Sequence, residues 1–300
     1  MAVFRGKRHF QLARQKPKRS QTGSLVETKP RFSLSVDVED WYMGIEIPQD
    51  KWGVFSPRLE RGLDLLLEIL AETGGKATFF VLGQAARKHP ELVSKIHRQG
   101  HEIGSHGFSH SKVYSLKQAD FAEEIRVTDD ILSEIVGYRP ICFRAPYFSI
   151  TDQSLWALEI LKENGYQIDA SIYPGSNYRY GMEGSPREVH RLPNGLVEYP
   201  VSTFEIMGRT LGLGGAYLRI LPLSMTQRQL RARLRANTPT TVYVHPWELD
   251  PSHPLVRFRL KAMLTHYVNL GSTQGKIRQI LQEFGSASIS DTLRDEGWIS

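Results

Sequence analysis

Two histidines four residues apart, His106 and His110, lie in Ser105-His106-Gly107-Phe108-Ser109-His110, directly after the strand-like His101–Gly104. On a helical turn, side chains at i and i+4 share a face, so this spacing predicts two imidazoles converging on one divalent ion. Far upstream, Asp37-Val38-Glu39-Asp40 closes the run Phe32 to Val36. That run reads as a buried strand, and strand ends are where open α/β folds place their chemistry. One carboxylate with two histidines makes three protein ligands and leaves a position for water, the arrangement of a catalytic site rather than a closed structural one. A lone His-x-x-x-His is a weak signal. Here it is joined by Arg144-Ala145-Pro146-Tyr147, Asp169-Ala170-Ser171 and His245-Pro246-Trp247-Glu248, each also following a strand-like run.

The elements that must position these clusters are legible from periodicity. Leu59, Leu63, Leu66, Leu67 and Leu70 mark one face of a helix that Gly74-Gly75 ends. Lys76–Leu82 then reads as a buried strand, Glu91–Gln99 as a short helix and His101–Ser105 as the next strand. Helix over Leu116–Val136, strand over Ile141–Arg144, helix over Asp152–Asn164 and strand over Gln167–Ala170 follow. Strands near Val197–Tyr199 and Thr241–Val244 flank a helix near Met225–Ala236. Strand and helix alternating in this way predicts an α/β fold with a mostly parallel sheet and right-handed crossovers. In a β/α barrel the residues beyond the C-terminal strand ends meet at one mouth, which accounts for five polar clusters in such positions.

Composition narrows the functional classes. The net charge of +6 over 300 residues is concentrated at one end: residues 1–30 hold eight Lys or Arg against Glu27. The remaining 270 residues carry 30 basic and 31 acidic side chains, so the folded body is not a basic nucleic-acid binder. The first thirty residues lack apolar periodicity and read as a disordered basic arm, without the apolar core of a secretory signal. No run approaches the ~18–20 apolar residues of a membrane span. Cys142 is the single cysteine, which excludes an internal disulfide. These features predict a cytoplasmic protein whose arm can meet an anionic membrane surface.

The clusters, taken in order, resemble the motifs of the polysaccharide deacetylases that share the NodB homology domain, carbohydrate esterase family 4. Ser35–Asp40 corresponds to the first motif, and His106–His110 to the second with glycine at its second position. Arg144-Ala145-Pro146-Tyr147 matches the third unchanged, Asp169 the looser fourth, and Val244–Pro246 the fifth around His245. The likeness spans about residues 32–250 and implies a distorted (β/α) barrel at 31–250 with a helical extension at 251–300 packed on the same domain. Gly214–Arg219 and His266–Gly271 resemble stretches of the subgroup linked to exosortase and exopolysaccharide gene clusters.

The resemblance implies one divalent metal ion, zinc first with cobalt, nickel or manganese as alternatives, and hydrolysis of N-acetyl groups on an amino-sugar polysaccharide or its lipid-linked precursor. Asp37 is then the expected general base, Arg144 the residue that holds it ionised, and His245 the general acid with Asp169 as its carboxylate partner. The Tyr147 N–H is a candidate oxyanion donor, and Trp247 and Tyr217 are candidate platforms for sugar rings. The family's first motif has adjacent aspartates, whereas Val38 stands in the second place here. The acidic ligand therefore falls to Asp40, where the chain is free to turn beyond the strand, or to Glu39, which shares the strand parity of Asp37; Asp40 is preferred. Two other readings compete: an allantoinase-like or formamide hydrolase of the same fold, and an inactive carbohydrate-binding homologue. The intact His106/His110 pair argues against the first, and retention of Asp37, both histidines, Arg144 and His245 against the second.

Overall fold

The computed structural model describes residues 32–45, 47–175, 180–256 and 260–300. The basic arm expected over residues 1–30, with its membrane contact, lies outside the described residues. Among the described residues there are ten strands: β1 (Phe32–Val38), β2 (Ala77–Val81), β3 (Glu102–Ser105), β4 (Cys142–Phe143), β5 (Ile168–Asp169), β6 (His190–Arg191), β7 (Val197–Glu198), β8 (Thr203–Ile206), β9 (Arg209–Gly212) and β10 (Thr240–Val244). The helices are α1 (Leu59–Thr73), α2 (Gly83–Lys88), α3 (Pro90–Arg98), α4 (Gln118–Val136), α5 (Trp156–Glu163), α6 (Gly215–Ile220), α7 (Leu223–Arg235), α8 (Leu260–Tyr267), α9 (Leu270–Phe284) and α10 (Ile289–Asp295). Every strand and helix expected from periodicity is found; the β8–β9 hairpin and the short α2, α6 and α10 carry too little pattern to be read in advance.

Eight strands form one sheet in the order β10-β1-β2-β3-β4-β5-β7-β6, parallel except where β6 pairs antiparallel with β7. The sheet curls strongly. Arg144, following β4, reaches Ser35 and Asp37 on β1, and Tyr199, following β7, reaches the Ser33 hydroxyl. Strands so far apart in a flat sheet could not exchange these contacts. The order has two ends, so the barrel is incompletely closed.

β1 divides two environments. Leu34, Val36 and Val38 pack outward against Leu63, Leu66 and Leu67 of α1, while Ser33, Ser35 and Asp37 face the curled interior, where they meet Thr292, Thr241 and Arg144. The expected apolar run is thus an alternation with both faces buried, its serines serving a polar interior. The leucine face of α1 is at most 4% exposed. Gly62 in that helix is required by packing: a Cβ there would lie 2.0 Å from the Pro246 carbonyl oxygen. Its absence lets α1 press directly on the turn after β10 that carries His245.

The C-terminal segment does more than wrap the outside. α9 packs on α1 and α6, but α10 enters the N-terminal end of the barrel. Ile289 and Leu293 fill it against Phe80, Cys142, Ile168, Val197 and Tyr199. Thr78 accepts from the Ile289 N–H at 2.8 Å, Ser33 pairs with Thr292 at 2.9 Å, and Glu102 takes the Ser290 hydroxyl and N–H. One end of the interior is plugged, so the polar side chains at the opposite end meet at a single mouth. Among the described residues, no helix is long and apolar enough to cross a membrane.

Candidate metal centre and active site

Asp37 ends the inward face of β1 and is 3% exposed. Arg144, fully buried, donates from Nη1 to Asp37 Oδ1 at 2.8 Å and to the Ser35 hydroxyl at 3.0 Å, and from Nε to the Ala170 carbonyl at 3.2 Å. Its guanidinium also lies 4.2 Å over the Phe80 ring. A charge so completely desolvated persists only when paired and hydrogen-bonded, and this one leaves Asp37 a single orientation.

The two histidines do not share a helical turn. Segment 106–110 is a loop in which Gly107 (φ 72°) and His110 (φ 60°) adopt left-handed backbone, and it is this reversal that brings the rings to 5.6 Å. Glu124 of α4 anchors the loop, accepting from the N–H groups of Phe108 and Ser109 at 3.1 and 3.2 Å and from the Ser109 hydroxyl. The ligand atoms of Glu39, His106 and His110 lie within 4.8 Å of one another, all buried. Glu39 Oε2 meets His110 Nε2, while His106 Nδ1 sits 2.7 Å from the Arg144 carbonyl. Only a protonated Nδ1 satisfies that carbonyl, which leaves the Nε2 lone pair of His106 for an ion. Burial alone pushes Glu39 up, but His110, His245 and His106 together hold it down to about 2; burial lowers His106 to about 4, leaving it neutral. A carboxylate and two imidazoles in a buried cluster fit a divalent ion with coordination positions left open.

Asp40 is turned elsewhere. Its carboxylate accepts from Trp41 N at 2.9 Å, Arg58 N at 2.9 and 3.1 Å and Leu59 N at 3.3 Å, capping the start of α1. The expectation of Asp40 as ligand is therefore corrected in favour of Glu39. Right after β1 the chain folds back, with Glu39 N–H donating to the Asp37 carbonyl, so Glu39 keeps the inward direction and Asp40 swings toward the helix.

The partner of His245 also differs from expectation. Its Nδ1 is 2.6 Å from Glu248 Oε1, and its backbone N–H donates to the same oxygen at 3.0 Å. Its Nε2 points into the cleft, 3.5 Å from Glu39 Oε1 and 3.9 Å from Asp37 Oδ2. Burial opposes its charge, but Glu39, Glu248 and Asp37 outweigh that and raise His245 to about 9. Asp169 has no part in this. It accepts from the Ser171 hydroxyl at 2.5 Å, and Ser171 in turn accepts from the Ala145 N–H at 2.8 Å. Asp169 also acts on Glu198, whose carboxyl is pushed well up by burial and by the Asp169 charge. It props the Arg144–Tyr147 turn rather than His245.

The turn at Tyr147 is left-handed (φ 57°); the hydroxyl donates to the Met43 carbonyl at 2.9 Å, and the ring lies 4.6 Å from that of His110. Trp247 is no open platform. At 6% exposure it is stacked between His245 (5.3 Å) and His266 (4.1 Å), and its Nε1 donates to Glu39 Oε1 at 3.3 Å. Tyr217 is half-buried on α6, near enough to Tyr173 to raise the pKa of that phenol alongside the larger effects of burial and Tyr180. Sequence reasoning missed Glu248, Arg219 and Glu124; only Glu248 carried a signal, three residues beyond His245 in a Pro-initiated turn.

The fold and site define an α/β half-barrel with a candidate metal centre at its mouth, flanked by Asp37 and His245. Residues 57–168 match the family described as Polysaccharide deacetylase, and residues 170–294 one described as Domain of unknown function (DUF3473). A peptidoglycan-N-acetylglucosamine deacetylase of Bacillus cereus is 38% identical over 95 residues, 31% of this chain and 34% of that protein. A chitin deacetylase of Arthroderma benhamiae is 33% identical over 135 residues, 44% of this chain and 36% of that protein. A crystal structure from Mycobacterium smegmatis, provisionally described as a polysaccharide deacetylase, shares the fold with TM-score 0.59 and 20% identity over 96% of this chain and 95% of that one. The chain spans about a third of the length of the curated relatives it matches. Over residues 57–168 the chain is thus similar to polysaccharide deacetylases, and over 170–294 to a domain of unknown function.

Proposed function

We propose that this protein is a metal-dependent hydrolase that removes N-acetyl groups from an amino-sugar polysaccharide, or its lipid-linked precursor, in exopolysaccharide biosynthesis. The observation that carries this reading is the buried Glu39–His106–His110 cluster with Asp37 and His245 both facing it. Glu39, His106 and His110 would hold a divalent ion, zinc first, which would supply polarisation of the acetyl carbonyl and a lowering of the pKa of water to about 7. Asp37, fixed by Arg144, accepts the proton of the attacking water. His245 delivers a proton from Nε2 to the departing amine, which cannot leave as an anion. The Tyr147 N–H is the proposed oxyanion donor, and the contact of its ring with His110 supports a place beside the reacting carbonyl.

In this reading residues 31–250 are the catalytic unit and 251–300 its extension, and substrate is met on the cytoplasmic face of a membrane. The exopolysaccharide assignment rests on the resemblance of Gly214–Arg219 and His266–Gly271 to the exosortase-linked subgroup. The test is acetate release from a chitooligosaccharide or an isolated lipid-linked N-acetyl glycan, with and without chelator. Release that chelator abolishes and added zinc restores supports the proposal; release unchanged by complete metal removal overturns it.

A further inference from the structure

We propose that Arg219 is a positioning residue for His245, acting through Glu248, and that the segment of unknown function thereby completes the catalytic site. The inference rests on His245 being the proton donor. Arg219 Nε donates to Glu248 Oε2 at 2.7 Å, leaving Oε1 to the His245 imidazole at 2.6 Å. Arg219 Nη1 donates to the carbonyls of His266 at 2.7 Å and Val268 at 3.0 Å. Both charged side chains are at most 2% exposed. Burying an ion pair this deeply brings little net stability over an apolar pair of the same shape, so its retention calls for an orienting role.

The geometry describes that role. A carboxylate held at one oxygen by a planar guanidinium cannot rotate, so its other oxygen defines where the Nδ1 proton of His245 must point. Nε2 is thereby aimed into the cleft between Asp37 and Glu39. Arg219 is itself locked: Asn269 Nδ2 and Lys276 Nζ donate to its backbone carbonyl, and its guanidinium lies 5.3 Å over the Trp247 ring. Arg219, Glu248, His266, Val268, Asn269 and Lys276 all fall within residues 170–294. The two sequence stretches around Gly214–Arg219 and His266–Gly271, far apart in the chain, are thus two sides of one clamp.

The experiment compares wild type, Arg219→Met, Arg219→Lys and Glu248→Gln in metal-loaded full-length protein, on a chitooligosaccharide and on 4-nitrophenyl acetate. The ester's leaving group needs no proton. A general acid contributes ~10²–10⁴-fold, so misaiming it in Arg219→Met is expected to lower amide turnover by at least about thirtyfold and ester turnover by at least about fivefold less. Arg219→Lys recovers part of the loss. In proton spectra the low-field signal of the His245–Glu248 hydrogen bond, assigned by its loss in Glu248→Gln, disappears in Arg219→Met. Equal losses on both substrates, or a folded Arg219→Met keeping both signal and amide turnover, overturns the inference. Should Arg219→Met fail to fold, the lysine variant decides by the same two readouts, because it keeps the charge and loses the fork. A wild type that releases no acetate from any glycan counts against the deacetylase reading alone, and the low-field signal then decides the role of Arg219.

Discussion

Glu39→Gln and Asp40→Ala, neighbours in sequence, are expected to fail in different ways. Glu39 is the carboxylate beside His106 and His110, so its neutral isostere should weaken metal binding by more than the ~10–100-fold that loss of an outer partner costs. Asp40 instead accepts four hydrogen bonds from the N–H groups of Trp41, Arg58 and Leu59 at 3% exposure. Losing an N-cap costs ~0.5–2 kcal/mol, and each buried donor left unmet adds ~1–3 kcal/mol where water cannot enter. Partial relaxation brings the expected total to about 2–4 kcal/mol. At roughly 2–4 °C per kcal/mol for a large domain, that is a fall in Tm of roughly 5–15 °C. Metal content after dialysis against a weak chelator, and thermal melts of the chelated proteins, separate the two effects. Asp40→Ala should keep stoichiometric metal and melt early, and Glu39→Gln should lose metal. An Asp40→Ala protein that loses its metal while Glu39→Gln retains it would refute the assignment of ligand and cap.

Because Glu248, with Glu39 and Asp37, raises His245 above its ordinary value against the effect of burial, turnover should fall as pH rises through that raised pKa. Glu248→Gln should move the alkaline limb of the kcat profile to lower pH, while Asp169→Asn should leave the limb in place; the reverse pattern would restore Asp169 as partner. Asp129 is raised to about 6, chiefly by burial and despite the Tyr166 hydroxyl bonded to it, from 3.8. The native state keeps that proton where the unfolded chain has lost it, so the contribution of the protonated form is complete below pH ~4 and lost as pH rises through about 6, at most about 3 kcal/mol. Asp129→Asn should therefore gain in Tm over wild type at pH 8 but not at pH 4, and an equal difference at both pH values would exclude this. Leu293→Ala empties part of the α10 plug and should cost ~2–5 kcal/mol, measured by denaturant melts, with metal stoichiometry retained.

Periodicity sufficed for the framework. The leucine face of α1 and the runs at β1, β2, β3 and β10 are local patterns that report which residues are buried, and the strand-to-helix alternation set the parallel order. The same patterns located Asp37, His106, His110, Arg144 and His245, because residues following parallel strands must gather at one end of the sheet. The pairing of Arg144 with Asp37 was expected through the resemblance alone, and the structure forms it at 2.8 Å.

Which carboxylate faces which base was settled only in three dimensions. The choice between Glu39 and Asp40 turns on the fold-back immediately after β1, a rotation of one residue that no hydrophobic period records. The histidine pair converges through two left-handed residues instead of a helical turn, and the requirement for that geometry comes from Glu124 on a later helix. Glu248 displaces Asp169 as the partner of His245 because Arg219, 29 residues earlier, holds it in place, while Trp247 meets Glu39 across 208 residues of chain. Alternation and spacing depend on a residue's near neighbours and survive in the linear sequence. Hydrogen-bond partnerships in a buried site depend on which distant groups arrive with unmet donors and acceptors, and only the packed fold decides that.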